Sequence, residues 1–450
     1  MSESKQDVQT FTAGSFAQAV RRNGIPAIIA MLFVLIYNLA DTFFIGLTNN
    51  DLMIAAVSIC TPLFLIFMSM GTLFGIGGTS MISRALGEGK KEYATKICSF
   101  CFWACIGTGA LCTILLLVFM EPILHLLGAS ENTIGFARTY MTIVSLAGIF
   151  SMLSNCYANI IRAEGKPKFA MVGTIVGNLL NVILDPIMIS VFHWDVAGAA
   201  WATLIGNAVA AIFYLLYYLQ GKSQLSIKLK DCKAGDGIAA GVLKIGIPAS
   251  LASLLMSVSQ MITNSLMAAY GDLSLAAYGV ASKILMLEAL IGTGLGQGIQ
   301  PLLGYCYGAK DSERFKGCLD YANKFGLVLL VIVTIVCFIF APNIVGWFLT
   351  EQAALNDAVI FTRIMLVSSW TLGVFFVCSN TLQALGAAKE SLVVSVCRQG
   401  IIYIPAIFIL NGIMGKTGLA WAQPVADVIS LLIVIILLKK ELNTLKLEKA

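Results

Sequence analysis

Twelve long apolar runs, separated by short charged or turn-rich breaks, constrain the fold of this chain more than any other feature. A helix needs about 20 mainly apolar residues to cross the hydrocarbon core, and the strands of an outer-membrane barrel are much shorter. Only 12% of the residues are charged, whereas a soluble domain has about 25%. The sequence therefore predicts an all-α polytopic membrane protein whose spans cover approximately 15–47, 52–80, 95–120, 133–160, 169–191, 197–219, 237–270, 274–303, 318–345, 357–384, 391–411 and 417–438.

Lysine and arginine are distributed unevenly between the two sides of these spans. With the N-terminus inside, the inner loops and tails hold 25 of the 29 basic residues, all except Arg138, Lys283, Arg363 and Lys416. Cytoplasmic loops carry such an excess, so we expect a plasma (inner) membrane protein with both termini in the cytoplasm. The polar start MSESKQDVQT leads into a full-length apolar run, which is not the pattern of a cleavable signal peptide. The net charge of +5 belongs to this asymmetry and predicts no nucleic-acid partner.

Five blocks of residues recur in the same order at a nearly constant spacing. The sequence therefore predicts two homologous six-helix lobes, 1–220 and 237–450, joined by a charged cytoplasmic linker, 221–236. Six is an even number, so the lobes share one topology, and their pseudo-two-fold axis should run along the membrane normal. The pairs are Gly24-Ile25-Pro26 with Gly246-Ile247-Pro248, Asp51–Ala56 with Asp272–Ala277, Gly71, Gly75 and Gly77 with Gly292, Gly296 and Gly298, Asn159 and Gly165 with Asn380 and Gly386, and Ala200-Trp201-Ala202 with Ala420-Trp421-Ala422.

Parallel repeats of this kind are typical of secondary transporters, which hold a substrate between two lobes and expose it to each side in turn. This expectation is an analogy from architecture. Pro26 and Pro248 lie early in the first span of each lobe. Proline removes a backbone hydrogen bond and bends a helix, so Pro26 is either a hinge or a static kink.

Four acidic residues lie inside predicted spans, namely Asp41, Asp185, Glu288 and Asp427. Ionisable groups in hydrocarbon are costly, and those that occur usually face a cavity or carry function. Asp41 shares a helix face with Asn38 and Tyr37, three and four residues earlier. It is therefore the centre of a polar group near the outer end of the first span.

Two further spans bring polar residues to a similar depth. Asn178, Asn181 and Asp185 follow spacings of three and four on the fifth span, and Thr203 and Asn207 are four apart on the sixth. Asp41 lies 19 residues beyond Arg22 and Asp185 lies 17 beyond Lys168, which is about 25–28 Å at 1.5 Å per residue. All three groups should therefore meet in the outer part of the bilayer.

This cluster suits two kinds of chemistry. A carboxylate in a low-dielectric environment favours its neutral form and can take up a proton near neutral pH. Alternatively, two carboxylates, an amide and a hydroxyl offer an all-oxygen site for a hard cation such as Na⁺. A satisfied polar network that only fixes helix packing is the third reading.

The second lobe lacks the cluster, because Asp41 corresponds to Thr263 and Asn38 to Gln260 at the repeat spacing. The coupling chemistry should therefore belong to the first lobe. Glu288, Asp427 and Gln260 are candidate contacts for a cationic substrate, and either acid could instead pair with Arg398.

No enzyme signature is present. The two histidines lack ligand spacing and there is no Walker A sequence. We therefore expect no catalytic residue, no cofactor, and no metal other than a coupling Na⁺ at Asp41 and Asp185. A flippase for lipid-linked saccharide precursors, from families with similar repeats, is the alternative function. It should need basic residues around a pyrophosphate, whereas the buried charges here are mostly acidic.

The sequence resembles the MATE (multidrug and toxic compound extrusion) family over nearly its whole length, and its DinF-like and MepA-like bacterial members in particular. The resemblance implies twelve helices in two six-helix lobes. It is carried by Pro26, Asn38-Leu39-Ala40-Asp41-Thr42-Phe43-Phe44-Ile45-Gly46, Ser83-Arg84-Ala85-Leu86-Gly87, Arg162-Ala163-Glu164-Gly165 and Asn181-Val182-Ile183-Leu184-Asp185-Pro186.

For that branch, the resemblance implies that the coupling proton or sodium ion binds at four residues and that the first helix bends at Pro26. The four are Asp41, Asn181, Asp185 and Thr203, with Tyr37, Asn38, Asn178 and Asn207 as the supporting network. The NorM-like branch uses an acid on the seventh helix, where this sequence has Met256, and Glu288 has no counterpart in the pattern.

The resulting hypothesis is a secondary active multidrug efflux transporter that works by alternating access. It would exchange amphipathic, often cationic, drugs for protons or sodium ions. Its expected partners are these small molecules and the lipid bilayer, and its functional unit is expected to be the monomer.

Overall fold

A computed structural model describes residues 10–46, 51–127, 129–349 and 351–445 of the chain, and the described part is helical with short connections. Residue 47, the last of the first predicted span, and both ends of the chain lie outside the described residues. The helices are α1 Phe16–Gly46, α2 Asp51–Gly87, α3 Lys91–Val118, α4 Met120–Leu126, α5 Ile134–Ala163, α6 Pro167–Pro186, α7 Asp195–Leu219, α8 Ile238–Ala268, α9 Asp272–Gly308, α10 Ser312–Ile339, α11 Ala341–Gly346, α12 Gln352–Ser369, α13 Leu372–Leu385, α14 Ala388–Val396, α15 Tyr403–Met414 and α16 Lys416–Thr444.

Within the described residues, eleven stretches of helix are long and apolar enough to cross a membrane. The pair α12 and α13, bent by 48° at a short break, supplies a twelfth span when it is counted as one. The all-α class and the number of spans predicted from the sequence are confirmed.

Two helices are longer than predicted. The apolar runs end near residues 80 and 303, yet α2 and α9 each contain 37 residues and continue to Gly87 and Gly308. In α2 the polar end stays helical because no proline follows and because Arg84 Nε donates to the carbonyl of Ser80 at 3.0 Å. The run of apolar residues therefore marks the part of the helix suited to lipid and not its full length.

Two of the spans contain a π-helical turn, at Ile187–Val191 and at Cys397–Ile401. The first begins directly after Pro186, which has no N–H to donate to the helical ladder. The second lies between α14 and α15, and the carbonyl of Gln399 within it accepts a hydrogen bond from Ser259 Oγ. Such turns are common at functional sites, and neither has a signal in the apolar pattern.

The chain forms two compact units. The first comprises Leu32–Ser250 with the segment up to Phe11, and the second comprises Thr12–Met31 and Leu251–Ala450. The start of α1 therefore belongs to the second unit and the start of α8 to the first. The predicted lobes, 1–220 and 237–450, describe the internal repeat and not compact units, so their boundaries stay a prediction.

Close backbone approaches hold these two helix starts in their units. A Cβ on Gly298 of α9 would lie 2.7 Å from the carbonyl oxygen of Asn23 in α1. A Cβ on Gly246 of α8 would collide with the carbonyl oxygen of Leu73 in α2. Glycine at both positions lets one helix backbone lie directly on another.

Each unit has its own apolar core. The first is built on α2, α3 and α5 around Phe67, Ile97 and Met152, and Thr113 Oγ1 donates to the carbonyl of Ser145 at 2.7 Å to join α3 to α5. The second is built on α9, α12, α15 and α16, with Phe361 and Tyr278 at its centre. These cores fix the helices that carry the polar residues described next.

Candidate functional site

The α6 helix has one polar face and one apolar face, and the two have opposite exposure. Asn181 is 3% exposed and Asp185 is fully buried. The apolar side chains on the other face are exposed, as expected for residues facing lipid; they are Val172, Val176, Leu179 and Ile183. The spacing of three and four thus turns Asn181 and Asp185 into the first unit, as the sequence predicts.

The amide of Asn181 connects Asp185 to α7. Oriented so that both of its polar atoms are satisfied, it donates from Nδ2 to Asp185 Oδ2 at 2.9 Å. Its oxygen accepts from Thr203 Oγ1 at 3.2 Å and from the Thr203 backbone N–H at 3.0 Å. Gly206, whose added Cβ would lie 2.7 Å from the carbonyl oxygen of Gly177, permits the close approach of α6 and α7 that these bonds require.

The end of α1 completes the cluster. The Tyr37 side chain lies near that of Thr203, and Asp41 lies close enough to Tyr37 and to Asp185 to interact electrostatically with both. Asp41, Asn181, Asp185 and Thr203 are therefore brought together from three helices of one unit. Their function as an ion site stays a prediction.

One oxygen of Asp185 stands out within this cluster. Asp185 Oδ1 is buried and has no hydrogen-bond partner in the part of the chain that the structure describes. A buried carboxylate oxygen without a donor is costly, so the site is suited to take up a proton or a cation at this atom.

Tyr140 of α5 also belongs to the cluster, because it interacts electrostatically with Asp41, Tyr37 and Asp185. Tyr140 is not among the site residues predicted from the sequence. Its depth was an available signal, since Tyr140 is six residues inside the outer end of α5 and Thr203 is eight inside the outer end of α7. Unlike Tyr37, Tyr140 has no polar residue three or four positions away in its apolar run, so helical spacing does not mark it.

The other predicted supporting residues lie around this centre. Asn207 Nδ2 donates to the carbonyl of Thr203 at 2.9 Å, and its Oδ1 accepts from Ser154 Oγ of α5 at 3.1 Å. Asn38 Nδ2 donates to the carbonyl of Val34 in its own helix at 2.8 Å. Asn178 is half-buried on α6, one turn from Asn181.

The arrangement limits the charge that the cluster can hold. Two neighbouring carboxylates in a low-dielectric site repel each other. Either one of them holds a proton, or a bound cation balances their charges. The groups around them are oxygens and an amide, which suit a proton or a hard cation. No group of three or more histidine, cysteine, aspartate or glutamate side chains suited to a metal ion occurs among residues 10–46, 51–127, 129–349 and 351–445.

The second unit buries its acids in a different way. Asp427 of α16 is 1% exposed and accepts from Arg398 Nε at 3.0 Å, from Gln423 Nε2 at 2.8 Å and from Ser368 Oγ at 3.3 Å. Of the two roles that the sequence leaves open, pairing with Arg398 is the one formed here. Asp427 as a substrate contact stays a prediction.

Glu288 and Gln260 belong to the second unit and not to the cluster of the first. Glu288 is fully buried on α9, so its carboxyl group does not reach the surface of the unit. Gln260 is exposed on α8 and donates from Nε2 to Asn264 Oδ1 at 3.0 Å. Both stay predictions as substrate contacts.

Pro26, the predicted hinge, is buried within a continuous α1. The change from the second unit to the first falls at Met31–Leu32, five residues beyond it. The structure thus places this proline just before the point at which α1 passes between units.

The fold and the cluster together define a multi-pass membrane protein with up to twelve spans in its described residues, an internal repeat and a pair of acids in one unit, of which Asp185 is fully buried. A family model described as MatE matches residues 26–187 and 248–409, and the two matches begin 222 residues apart. The chain belongs to the MatE family. The resemblance predicted from the sequence is confirmed.

Individual relatives agree with this assignment. The chain is 30% identical over 442 residues to the multidrug export protein MepA of Staphylococcus saprophyticus, which covers 98% of this chain and 97% of that protein. It is 32% identical over 410 residues to MepA of Staphylococcus aureus strain N315, covering 91% and 90%. A solved structure, described as an outward-facing conformation of a multidrug resistance MATE family transporter of the MOP superfamily, has the same fold, with a TM-score of 0.93, 24% identity and 99% coverage of both chains.

Proposed function

We propose that this protein is a secondary active multidrug efflux transporter that exchanges amphipathic, often cationic, compounds for protons or sodium ions. Its membership of the MatE family and its similarity to MepA proteins, whose names state multidrug export, support the transport activity. The same membership is the reason for assigning no catalytic reaction.

One observation carries the coupling step. Asp41 and Asp185 lie together inside one unit, and Asp185 Oδ1 has no hydrogen-bond partner among the described residues. No salt bridge in that part of the chain involves either acid. A proton or Na⁺ at this atom would neutralise the acid pair and satisfy the bare oxygen, with Asn181 and Thr203 fixing its position.

Coupling then follows from linkage. If ion binding at Asp41 and Asp185 favours the conformation with low substrate affinity, substrate binding must weaken ion binding by the same factor. The end of α1 carries Asp41 and belongs to the first unit, whereas Pro26 lies in the part of α1 that belongs to the second. We therefore propose that ion binding acts on the transport cycle through a change in the bend of α1 at Pro26.

The setting of the protein is proposed from the same features. The excess of lysine and arginine on one side of the spans supports a plasma membrane location with both termini in the cytoplasm. The cluster is complete within one chain, which supports a functional monomer. The substrates belong to the class of small amphipathic molecules, and the bilayer is the other partner.

A lipid-linked saccharide flippase is not favoured by the charges of the described residues. A pyrophosphate needs unpaired basic groups, and of the buried arginines Arg398 is bound to Asp427 and Arg162 Nη1 donates to Asn159 Oδ1 at 2.9 Å. Two buried carboxyl oxygens, Asp185 Oδ1 and Glu288 Oε1, lack a hydrogen-bond partner among the described residues, and such atoms do not bind a pyrophosphate.

The test is transport in proteoliposomes that contain the purified protein and ethidium, a fluorescent amphipathic cation. A pH gradient and a sodium gradient are imposed separately, and liposomes without protein are the control. We expect ethidium to move against its gradient with one of the two ions. Equal distribution of ethidium under both gradients would contradict the proposed antiport.

A further inference from the structure

The second unit contains a buried carboxyl group that the coupling site does not use. Glu288 on α9 is fully buried, and its Oε2 accepts a hydrogen bond from Thr334 Oγ1 of α10 at 2.8 Å. Thr334 Oγ1 lies 3.2 Å from Ser369 Oγ, at the end of α12. The other oxygen, Glu288 Oε1, is buried without a hydrogen-bond partner in the described part of the chain.

No cation among the described residues forms an ion pair with this group. The described salt bridges of the second unit are Arg398 with Asp427 and Lys416 with Asp357, and neither includes Glu288. Of the nearby titratable groups, Cys337 of α10 is the one that interacts with it. Arg363 of α12 lies over the ring of Phe338, 5.4 Å from its centre, and Lys283 is more than one turn away on α9 itself.

The remaining elements packed against α9 add no charge to the pocket. On α13 the titratable side chain is Cys378, whose thiol donates to Asn323 Oδ1 at 3.6 Å. On α16, which contributes to the same apolar core as α9, the buried acid is Asp427, which is bound to Arg398. Glu288 is thus surrounded by hydroxyl groups, a thiol and apolar side chains.

The charged form of Glu288 is therefore poorly supported. An ionised carboxylate in a membrane interior, with one bare oxygen and no cation, costs far more than a neutral acid that leaves one polar atom unpaired. Threonine and serine hydroxyls can donate to either form. Three oxygen-bearing side chains do not supply the ligand number of a hard metal cation, whereas a proton needs one atom.

We propose that Glu288 is a second proton-binding site, which is occupied and sealed in this conformation. A proton held at Glu288 would be exchanged during the transport cycle. The physiological role of this site therefore rests on the proposed function. It assigns Glu288 a role other than direct contact with substrate.

The site is placed to act on the bend between α12 and α13. Ser369 is the last residue of α12 and belongs to the hydroxyl pair beside Glu288, while the adjacent Ser368 donates to Asp427. Loss of the proton would require both Thr334 and Ser369 to donate towards the carboxylate. Their rearrangement would reposition the end of α12, next to the break of 48°.

Infrared spectroscopy of the purified full-length protein tests proton occupancy without any need for transport. At neutral pH, exposed carboxyl groups are ionised, and a buried protonated acid gives its own carbonyl band. We expect Glu288→Gln to lose one such band from the wild-type spectrum. Glu313→Gln, an exposed acid at the start of α10, is the matched control and should lose none.

The outcomes separate the two proposals. Retention of every carboxylic acid band in a folded Glu288→Gln protein would overturn the proton site, whatever the transport result. If Glu288→Gln loses the band but ethidium transport by the unmodified protein responds to neither gradient, the proton site is supported and the antiport proposal is contradicted.

A second variant covers the case in which Glu288→Gln does not fold. Thr334→Val keeps the carboxyl group and removes its donor, so the acid band should remain and move to higher frequency. An unmoved band would contradict the geometry. Thermal unfolding establishes that each variant is folded, and the pH dependence of ethidium efflux should change in Glu288→Gln but not in Glu313→Gln.

Discussion

The two units differ in the chemistry that they place at positions made equivalent by the repeat. In the first, α1 supplies Asp41, which lies beside Asp185 with no basic partner among the described residues. In the second, α8 supplies Thr263, whose hydroxyl donates to the carbonyl of Ser259 at 2.9 Å and lies 3.2 Å from the hydroxyl of Tyr403.

The same comparison extends to the neighbouring groups. The Tyr403 hydroxyl also lies 3.3 Å from that of Tyr278, so Thr263 belongs to a group of three neutral hydroxyls, whereas its counterpart Asp41 lies beside a second acid. Neutral hydroxyls that satisfy one another fix helix packing at any pH near neutrality. At this repeat position, one copy of the scaffold therefore carries a pair of acids and the other a satisfied network of hydroxyls.

The largest effect should come from breaking the ion pair of the second unit. Arg398→Met leaves Asp427 buried without its cation, and we expect a loss of about 3–5 kcal/mol in the free energy of unfolding. The measurement is unfolding of the purified protein in detergent. Combining Arg398→Met with Asp427→Leu should restore most of the loss, and an unaltered stability in the single variant would show that this pair is not structural.

Removing an acid from the first unit should have the opposite profile. Asp185→Asn deletes a charge that has no basic partner in the described structure, so stability should change by no more than about 1 kcal/mol. Ion-driven ethidium efflux should fall by about 5–150-fold, the range for a coupling free energy of about 1–3 kcal/mol. Severe unfolding together with normal coupling in the folded fraction would reverse the contrast between the two units.

The smallest effects come from a matched pair of threonines. Thr203→Val removes the hydroxyl next to Asn181 and Tyr37, and a lost hydrogen bond of about 0.5–1.5 kcal/mol should weaken the ion dependence of efflux about two- to tenfold. Thr263→Val should lower stability by a similar amount and leave the ion dependence unchanged. An equal shift of the ion dependence in both variants would mean that the hydroxyl network also takes part in coupling.

Much of the fold and part of the site follow from local sequence. Twelve spans and two lobes are visible in apolar length and in the blocks at a spacing near 221 residues, and the 3–4 spacing of Asn181 and Asp185 gives their shared face. These features depend on the length of the apolar runs, on the internal sequence repeat and on the geometry of a single helix. The meeting of Asp41, Asp185 and Thr203 followed from depth, because residues at the same depth on packed helices can meet.

Other features depend on contacts that one sequence does not encode in a simple pattern. The place of Tyr140, the bond between Asn207 and Ser154, and the π-helical turn at Cys397–Ile401 each require the position of another helix. The assignment of the start of α1 to the second unit is of the same kind, since an apolar run shows no change at Leu32. Tertiary packing decides these points.

The most direct test of the account uses Asp41→Asn in proteoliposomes, with two assays on the same preparation. Exchange of labelled for unlabelled ethidium, without any ion gradient, reports the conformational cycle, and accumulation against a gradient reports coupling. If Asp41 belongs to the coupling site, exchange continues while ion-driven accumulation is lost. Accumulation at the wild-type level in Asp41→Asn would contradict the account.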